Sequence, residues 1–247
     1  MQLWRFLTPS AFSWLIRTGA YTAYDYITGA GPLPSRVRDY VEENARAGDP
    51  ADVLRAMDAF ARKRFLMNIG PDKGPLVREL LGRLPEKARI LELGVFCGYS
   101  SIMFASTLGP HGQVVSIEKS RDAAEASRGN VDHAGLSDQV EVITGGSTET
   151  IQSLEGQFDL IFLDHRKDLY REDLELIEKC GLLRPGSIVV ADNVGEIFGA
   201  GDYLEYVRTC GRYDSEHRTA TIEYTKIPDA VEISVYRGPG AATSAGA

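Results

Sequence analysis

The 247-residue chain is poor in cysteine, in basic charge and in long apolar runs. Cys97, Cys180 and Cys210 stand far apart and are odd in number, which gives neither a disulfide framework nor zinc-ligand spacing and implies a reducing cytoplasm. Acidic residues exceed basic ones, 35 to 27, for a net charge of −8. A nucleic-acid binder would need basic stripes to neutralise phosphates. The apolar N-terminal stretch 3–24 is broken by Arg5, Pro9 and Arg17, whereas a spanning helix needs about 20 mostly apolar residues. No small-residue cleavage site follows a clean apolar run, so a signal peptide is not expected. There is no G-x-G-x-x-G and no phosphate loop ending in Lys-Ser/Thr, so a dinucleotide is disfavoured. Three of the four histidines, His111, His133 and His217, are isolated and read as surface residues. No internal repeat is visible.

What is present suits a globular enzyme-sized domain: 43% hydrophobic and 25% charged residues. Residues 1–34 read as an extension whose aromatic segment packs on the body or on a partner subunit, with an amphipathic helix on a membrane surface as the alternative. Residues 35–240 form the main domain, and the Gly/Ala-rich tail 241–247 is expected to be disordered. Helices are expected at 35–47 and from Pro50, where Asp49 is the N-cap and Val53, Leu54, Met57, Phe60 and Ala61 make one apolar face. A break is expected over 67–75, then a helix over 76–84. From residue 88 strands alternate with helices: strands at 88–94, 113–119, 139–146, 158–164 and 186–193, helices at 100–109, 121–135, 148–154, 171–183 and 201–210. Strands at 220–226 and 230–238, joined at Ile227-Pro228-Asp229, read as a final hairpin. The pattern predicts an α/β, Rossmann-like fold: a mostly parallel seven-stranded sheet with helices on both faces and an antiparallel C-terminal hairpin.

Ligands of such sheets bind beyond the carboxyl ends of the strands. The first strand ends in Glu92-Leu93-Gly94-Val95-Phe96-Cys97-Gly98, a G-x-x-x-G turn, and the second ends at Glu118. An acidic residue some 20–25 positions after a glycine turn commonly binds ribose hydroxyls, and without a dinucleotide fingerprint this suggests an adenosyl ligand lacking a diphosphate, such as S-adenosylmethionine. The fourth strand ends in Asp164 and the fifth in Asp192-Asn193. Two carboxylates and an amide from adjacent tips offer only oxygen ligands, which suit Mg²⁺. Capping of the following turn by Asp192-Asn193 is the plainer alternative. Lys167, three residues past Asp164, could act as a general base, or pair in solvent with Asp168.

Taken together, ELGVFCGYSS, MNIGPDKGPLV, FLDHRKDLY, EKCGLLRPG, VVADNV and VYRGPG resemble, in order and over residues 36 to 240, the animal-type catechol O-methyltransferases; DHxKD and ADN are the most specific parts. The resemblance implies a class I methyltransferase fold using S-adenosylmethionine and Mg²⁺ to methylate one hydroxyl of a catechol. By motif, Asp164, Asp192 and Asn193 would hold the metal, Lys167 would take the proton, and Glu223 would accept a hydrogen bond from the second hydroxyl. Met67 and Ile69 would lie near the sulfonium, Glu92 and Ser100 at the methionine part, Glu118 at the ribose, and Ser147 and His165 around the adenine and sulfonium ends. Gly94, Phe96 and Asp164 complete the cofactor side. Phe65, Met67, Arg166, Phe198 and Ile222 would line the substrate with Lys167, Asn193 and Glu223. The chain departs from the family at Phe65 and Arg166, where tryptophans are usual, at Phe96, where tyrosine is usual, and near Phe198, where the family has a proline and this chain one extra residue. Arg166 could favour acidic catechols such as protocatechuate or caffeate over dopamine; an arginine facing solvent is the alternative. Two other functions compete: a cation-dependent O-methyltransferase for caffeoyl-type substrates, and a non-catalytic anchored binding protein, which would be expected to show degraded metal ligands.

Overall fold

The computed structural model describes residues 29–64, 66 and 68–240. Phe65, Met67, most of the N-terminal extension and the 241–247 tail lie outside the described residues. In chain order the elements are α1 (Leu33–Asn44), α2 (Pro50–Lys63), α3 (Gly70–Leu81), β1 (Arg89–Leu93), α4 (Tyr99–Leu108), β2 (Gln113–Glu118), α5 (Arg121–His133), β3 (Val140–Thr144), α6 (Ser147–Ile151), β4 (Phe158–Leu163), a 3₁₀ turn (Lys167–Leu169), α7 (Tyr170–Lys179), β5 (Leu183–Ala191), α8 (Gly201–Thr209), β6 (Tyr213–Thr221) and β7 (Pro228–Tyr236). The sheet order is β3-β2-β1-β4-β5-β7-β6. β1 to β5 pair in parallel, and β7 runs antiparallel to both β5 and β6.

Strand parity builds two cores. Leu160 and Phe162 face one, with α1 to α5; Ile161 and Leu163 face the other, with α6, α7 and α8. This is why the continuous apolar run of β4 carries no alternation: both faces are covered. α2 forms as its sequence requires, with the Asp49 carboxylate accepting from the Asp52 N–H and Pro50 opening the helix. Its whole anticipated apolar face, Val53, Leu54, Met57, Phe60 and Ala61, is buried.

Two segments differ from expectation. The predicted break at 67–75 is largely helix, because α3 starts at Gly70 and runs through Pro75 to Leu81. Tertiary bonds fix its first turn: the Asp72 and Lys73 N–H groups donate to the Glu223 carboxylate. At the C-terminus, β6 covers 213–221 rather than 220–226. It is an edge strand with few buried positions, so YDSEHRTAT shows no apolar alternation. Residues 222–227 form a turn instead, closed by the Ile222 N–H to the Ile227 carbonyl and holding Tyr224 at φ +59°.

The chain leaves β1 toward β2 and β3, then returns to the opposite side of β1 as β4. The crevice beyond the β1 and β4 tips is therefore the topological switch point, where such sheets bind ligands.

Candidate active site

At the switch point a cavity of about 840 Å³ opens, lined among others by Gly94, Phe96, Ser100, Glu118, Ser147, Asp164, His165, Arg166, Lys167 and Phe198. Gly94 is needed here for a reason beyond its φ of +93°: a Cβ would stand 2.6 Å from the Asp164 carbonyl oxygen. The glycine makes room for the neighbouring strand's backbone as much as for a ligand. Phe96 also has a positive φ, +52°. The Glu118 carboxylate holds this turn, accepting from the Val95 and Phe96 N–H groups at 3.1 and 3.0 Å and from Ser120 N–H at 2.8 Å.

Glu92, expected at the cofactor, is fully buried in the structure and bonded to the hydroxyls of Ser100, Ser101 and Ser116. Burial pushes its carboxyl up to about 7, against the lowering effect of the three serines. It reaches the cavity through Ser100. Since that hydroxyl donates to Glu92, its oxygen is left as an acceptor toward the cavity. On the opposite wall the His165 Nε2 is 2.8 Å from Asp173 Oδ2, and Nδ1 is buried without a partner. Asp173 thereby selects the tautomer that leaves Nδ1 as an acceptor. Burial acts to raise the Asp173 carboxyl, but hydrogen bonds from His165, Ser147 and Thr148 hold it below the ordinary aspartate value. Ile69 is buried in the core just before α3.

The strand tips meet as expected. Leu163 pairs with Ala191, so Asp164 and Asp192 are the next residues on adjacent strands. Burial raises the Asp164 carboxyl to about 6, with Lys167 beside it acting to lower it. Lys167 Nζ donates to Asp164 Oδ1 at 3.1 Å and to the Tyr170 hydroxyl at 2.7 Å, so it points inward rather than pairing with Asp168. The Tyr170 hydroxyl in turn contacts the carbonyls of Leu163 and Asp192, tying lysine, β4 and β5 together. Asn193 sits at φ +52°, its amide nitrogen 2.8 Å from Asp229 Oδ2.

Lys73, on α3, is 2% exposed and donates to Asp192 at 2.5 Å and to Asp229 at 3.1 Å. Burial alone would lower this lysine, but the two aspartates more than offset that and hold it above the ordinary range. Glu223, in the 222–227 turn, is also buried. Its oxygens accept from Lys73 N–H at 2.7 Å and Asp72 N–H at 3.1 Å. Burial lifts its carboxyl to about 8 against those two donors. Gly70 permits this contact: a Cβ there would lie 2.5 Å from Glu223 Oε2. Ile222 and Ile227 form a small apolar cluster with Phe198 beside the turn.

Arg166 lies at the rim. Its side chain is 65% exposed and ion-paired with Asp168. Two of the histidines expected on the surface have partners: His133 Nε2 meets the Ala45 carbonyl at 2.9 Å, and His217 Nδ1 meets the buried Glu232 at 2.8 Å. The sequence did not single out Lys73, Tyr170, Asp173 or Asp229. Their roles come from long-range contacts, although Lys73 lies within the MNIGPDKGPLV motif.

The donor chemistry at the β4 and β5 tips fits a hard cation: two carboxylates and an amide, all oxygen, with a lysine ammonium already neutralising one of them. Among the described residues no group of three or more His, Cys, Asp or Glu forms a metal cluster, and the set depends on Asn193. No helix of the described residues is long and apolar enough to cross a membrane.

The switch-point cavity, its glycine turn and an acid-ended second strand fit the class of S-adenosylmethionine-dependent methyltransferases. Residues 48–201 match the O-methyltransferase family model. The catechol O-methyltransferase of Mus musculus is 37% identical over 216 residues, 85% of this chain and 81% of that protein. A transmembrane O-methyltransferase of Homo sapiens is 35% identical over 219 residues, 84% of this chain and 74% of that one. Among solved structures, the Streptomyces achromogenes O-methyltransferase involved in tomaymycin synthesis, in complex with SAM, superposes with a TM-score of 0.64 at 28% identity, covering 76% of this chain and 89% of that one. The chain belongs to the O-methyltransferase family and is an S-adenosylmethionine-dependent enzyme of the catechol O-methyltransferase type.

Proposed function

We propose that the enzyme methylates one hydroxyl of a catechol with the help of Mg²⁺ held by Asp164, Asp192 and Asn193. What supports this reading is that Asp164 and Asp192 follow paired residues on adjacent strands, with Asn193 next in the chain, and that Lys167 turns in onto Asp164, both lining the cavity. When bound, S-adenosylmethionine supplies an activated methyl group, and the cation supplies a Lewis acid that favours ionised hydroxyls. Lys167, held by Asp164 and Tyr170, in its neutral amine form accepts the proton of the reacting hydroxyl at Nζ and becomes the ammonium. Glu223, fixed on the first turn of α3, accepts a hydrogen bond from the neighbouring hydroxyl. Phe198 lines the cavity as an apolar surface for the ring, backed by Ile222 and Ile227. Glu118, Ser100 and His165 Nδ1 offer acceptors to the cofactor's hydroxyls, ammonium and adenine or sulfonium ends. Orientation of the two reactants in one pocket is the main source of rate, with roughly 7–11 kcal/mol available from this effect in well-aligned systems.

The reading separates vicinal diols from other phenols. Methyl transfer should be seen with catechol and protocatechuate and be lost with phenol and resorcinol, measured by product mass spectrometry. Equal turnover of resorcinol would contradict the chelation geometry. Turnover of a caffeoyl thioester in preference to small catechols would move the enzyme to the caffeoyl type.

A further inference from the structure

Asp229 is buried near the start of β7, facing the β5 tip. Its Oδ2 accepts from the Asn193 side-chain amide at 2.8 Å and from the Lys73 ammonium at 3.1 Å. Its Oδ1 takes the Gly195 N–H at 3.3 Å. Asp229, ion-paired to Lys73, can only accept, so the Asn193 atom that meets it is the nitrogen. The amide oxygen, on the other branch of the same planar group, is turned away from Asp229. The backbone is held in the same place: Val194 N–H donates to the Ala230 carbonyl, and Asn193 is left-handed. An amide is asymmetric, and only its oxygen binds a hard cation. A flipped Asn193 would present an NH₂ group to the metal instead.

We propose that Asp229 is a positioning residue for the metal site: it fixes the Asn193 amide with the oxygen free to coordinate. The inference rests on the reading of Asp164, Asp192 and Asn193 as cation ligands. Lys73 complements it. It engages Asp192 at Oδ1, the same carboxylate's other oxygen being the one the reading assigns to the cation. Sequence spacing gives no hint of this pair, because Asp229 lies 36 residues from Asn193 and Lys73 lies 119 from Asp192.

The test uses Mn²⁺ as probe, with its affinity for the full chain read by electron paramagnetic resonance without substrate. Calorimetric titration with S-adenosylhomocysteine reports an intact cofactor pocket. Asp229→Ala is expected to weaken Mn²⁺ binding about 10–100-fold, the usual effect of losing a partner that orients a metal ligand. Asp229→Asn keeps an oxygen where Asn193 donates, and should stay within about threefold of wild type, well inside that range. Adding Asn193→Asp to Asp229→Ala should recover about tenfold or more, since a carboxylate presents oxygen in either orientation. Asn193→Asp alone sets two carboxylates face to face and should weaken Mn²⁺ binding despite the added negative charge; this variant also serves if Asp229→Ala does not fold. Unchanged affinity in Asp229→Ala, equal loss in Asp229→Asn and Asp229→Ala, or tighter binding in Asn193→Asp would each overturn the proposal. Failure of the wild type itself to bind Mn²⁺ would instead refute the cation reading on which it depends.

Discussion

Gly70→Ala probes the joint between α3 and the 222–227 turn. Gly70 has φ +53°, and an added Cβ would meet Glu223 Oε2 at 2.5 Å and its Cδ at 2.8 Å. Two costs follow. An L-residue in the left-handed region loses roughly 1–2 kcal/mol. Glu223 must also retreat from α3, giving up at least the Asp72 N–H bond to Oε2, and a hydrogen bond to a carboxyl that burial keeps largely neutral contributes about 0.5–1.5 kcal/mol. The sum is about 1.5–3.5 kcal/mol. At about 2–4 °C per kcal/mol for a domain of this size, Tm should fall by roughly 3–14 °C. Displacing Glu223 also removes the acceptor for the second hydroxyl, so kcat/KM for catechol should fall by about tenfold or more, equivalent to one lost hydrogen bond, while the S-adenosylhomocysteine affinity holds. Gly74→Ala is the internal control. That glycine has an ordinary helical φ, and its Cβ would meet only Met103 Sδ at 3.2 Å, so its Tm should move by no more than about 3 °C in either direction. A Gly70→Ala enzyme with wild-type Tm and wild-type catechol kinetics would refute the reasoning.

Three further outcomes are expected. Glu92, raised to about 7 in the fold from 4.5, contributes stability that is fully present below about pH 4.5 and lost as pH rises through about 7; Glu92→Gln should therefore flatten the fall of Tm across that window, and an unchanged slope would count against a protonated Glu92. Lys167→Met should lower kcat by about 10²–10⁴ and leave S-adenosylhomocysteine binding intact by calorimetry, whereas retained kcat would remove it as the base. Arg166→Ala should alter the kcat/KM ratio of protocatechuate to dopamine by less than about threefold, because its exposed charge is already paired with Asp168; a larger drop would restore the arginine as a selector of acidic substrates.

Most of the central sheet was legible because each parallel strand is a short apolar run ending in a recognisable polar tip. Phe158–Leu163 followed by Asp164 is the clearest case, and the register of β4 with β5 then brings Asp164 beside Asp192. The start of α3 was not legible, since Gly70, Pro71, Gly74 and Pro75 argue locally against a helix and its first turn is held by distant partners, Glu223, Asp192 and Asp229. The position of β6 was obscured by its edge location, where a charged strand costs little. Lys73 and Asp229 escaped for a related reason: a buried ion pair between α3 and β7 leaves no local pattern. Glu92 was placed in the right neighbourhood but one step too close to the cavity, because sequence cannot reveal that Ser100, Ser101 and Ser116 surround it.

The proposed divalent-cation site is tested most directly by the initial rate of methyl transfer to protocatechuate before and after chelation with EDTA, followed by Mg²⁺ add-back. Activity should fall by at least about 100-fold, corresponding to several kcal/mol of lost Lewis-acid stabilisation, and return with Mg²⁺. A rate indifferent to EDTA would contradict the assignment of Asp164, Asp192 and Asn193 to a metal.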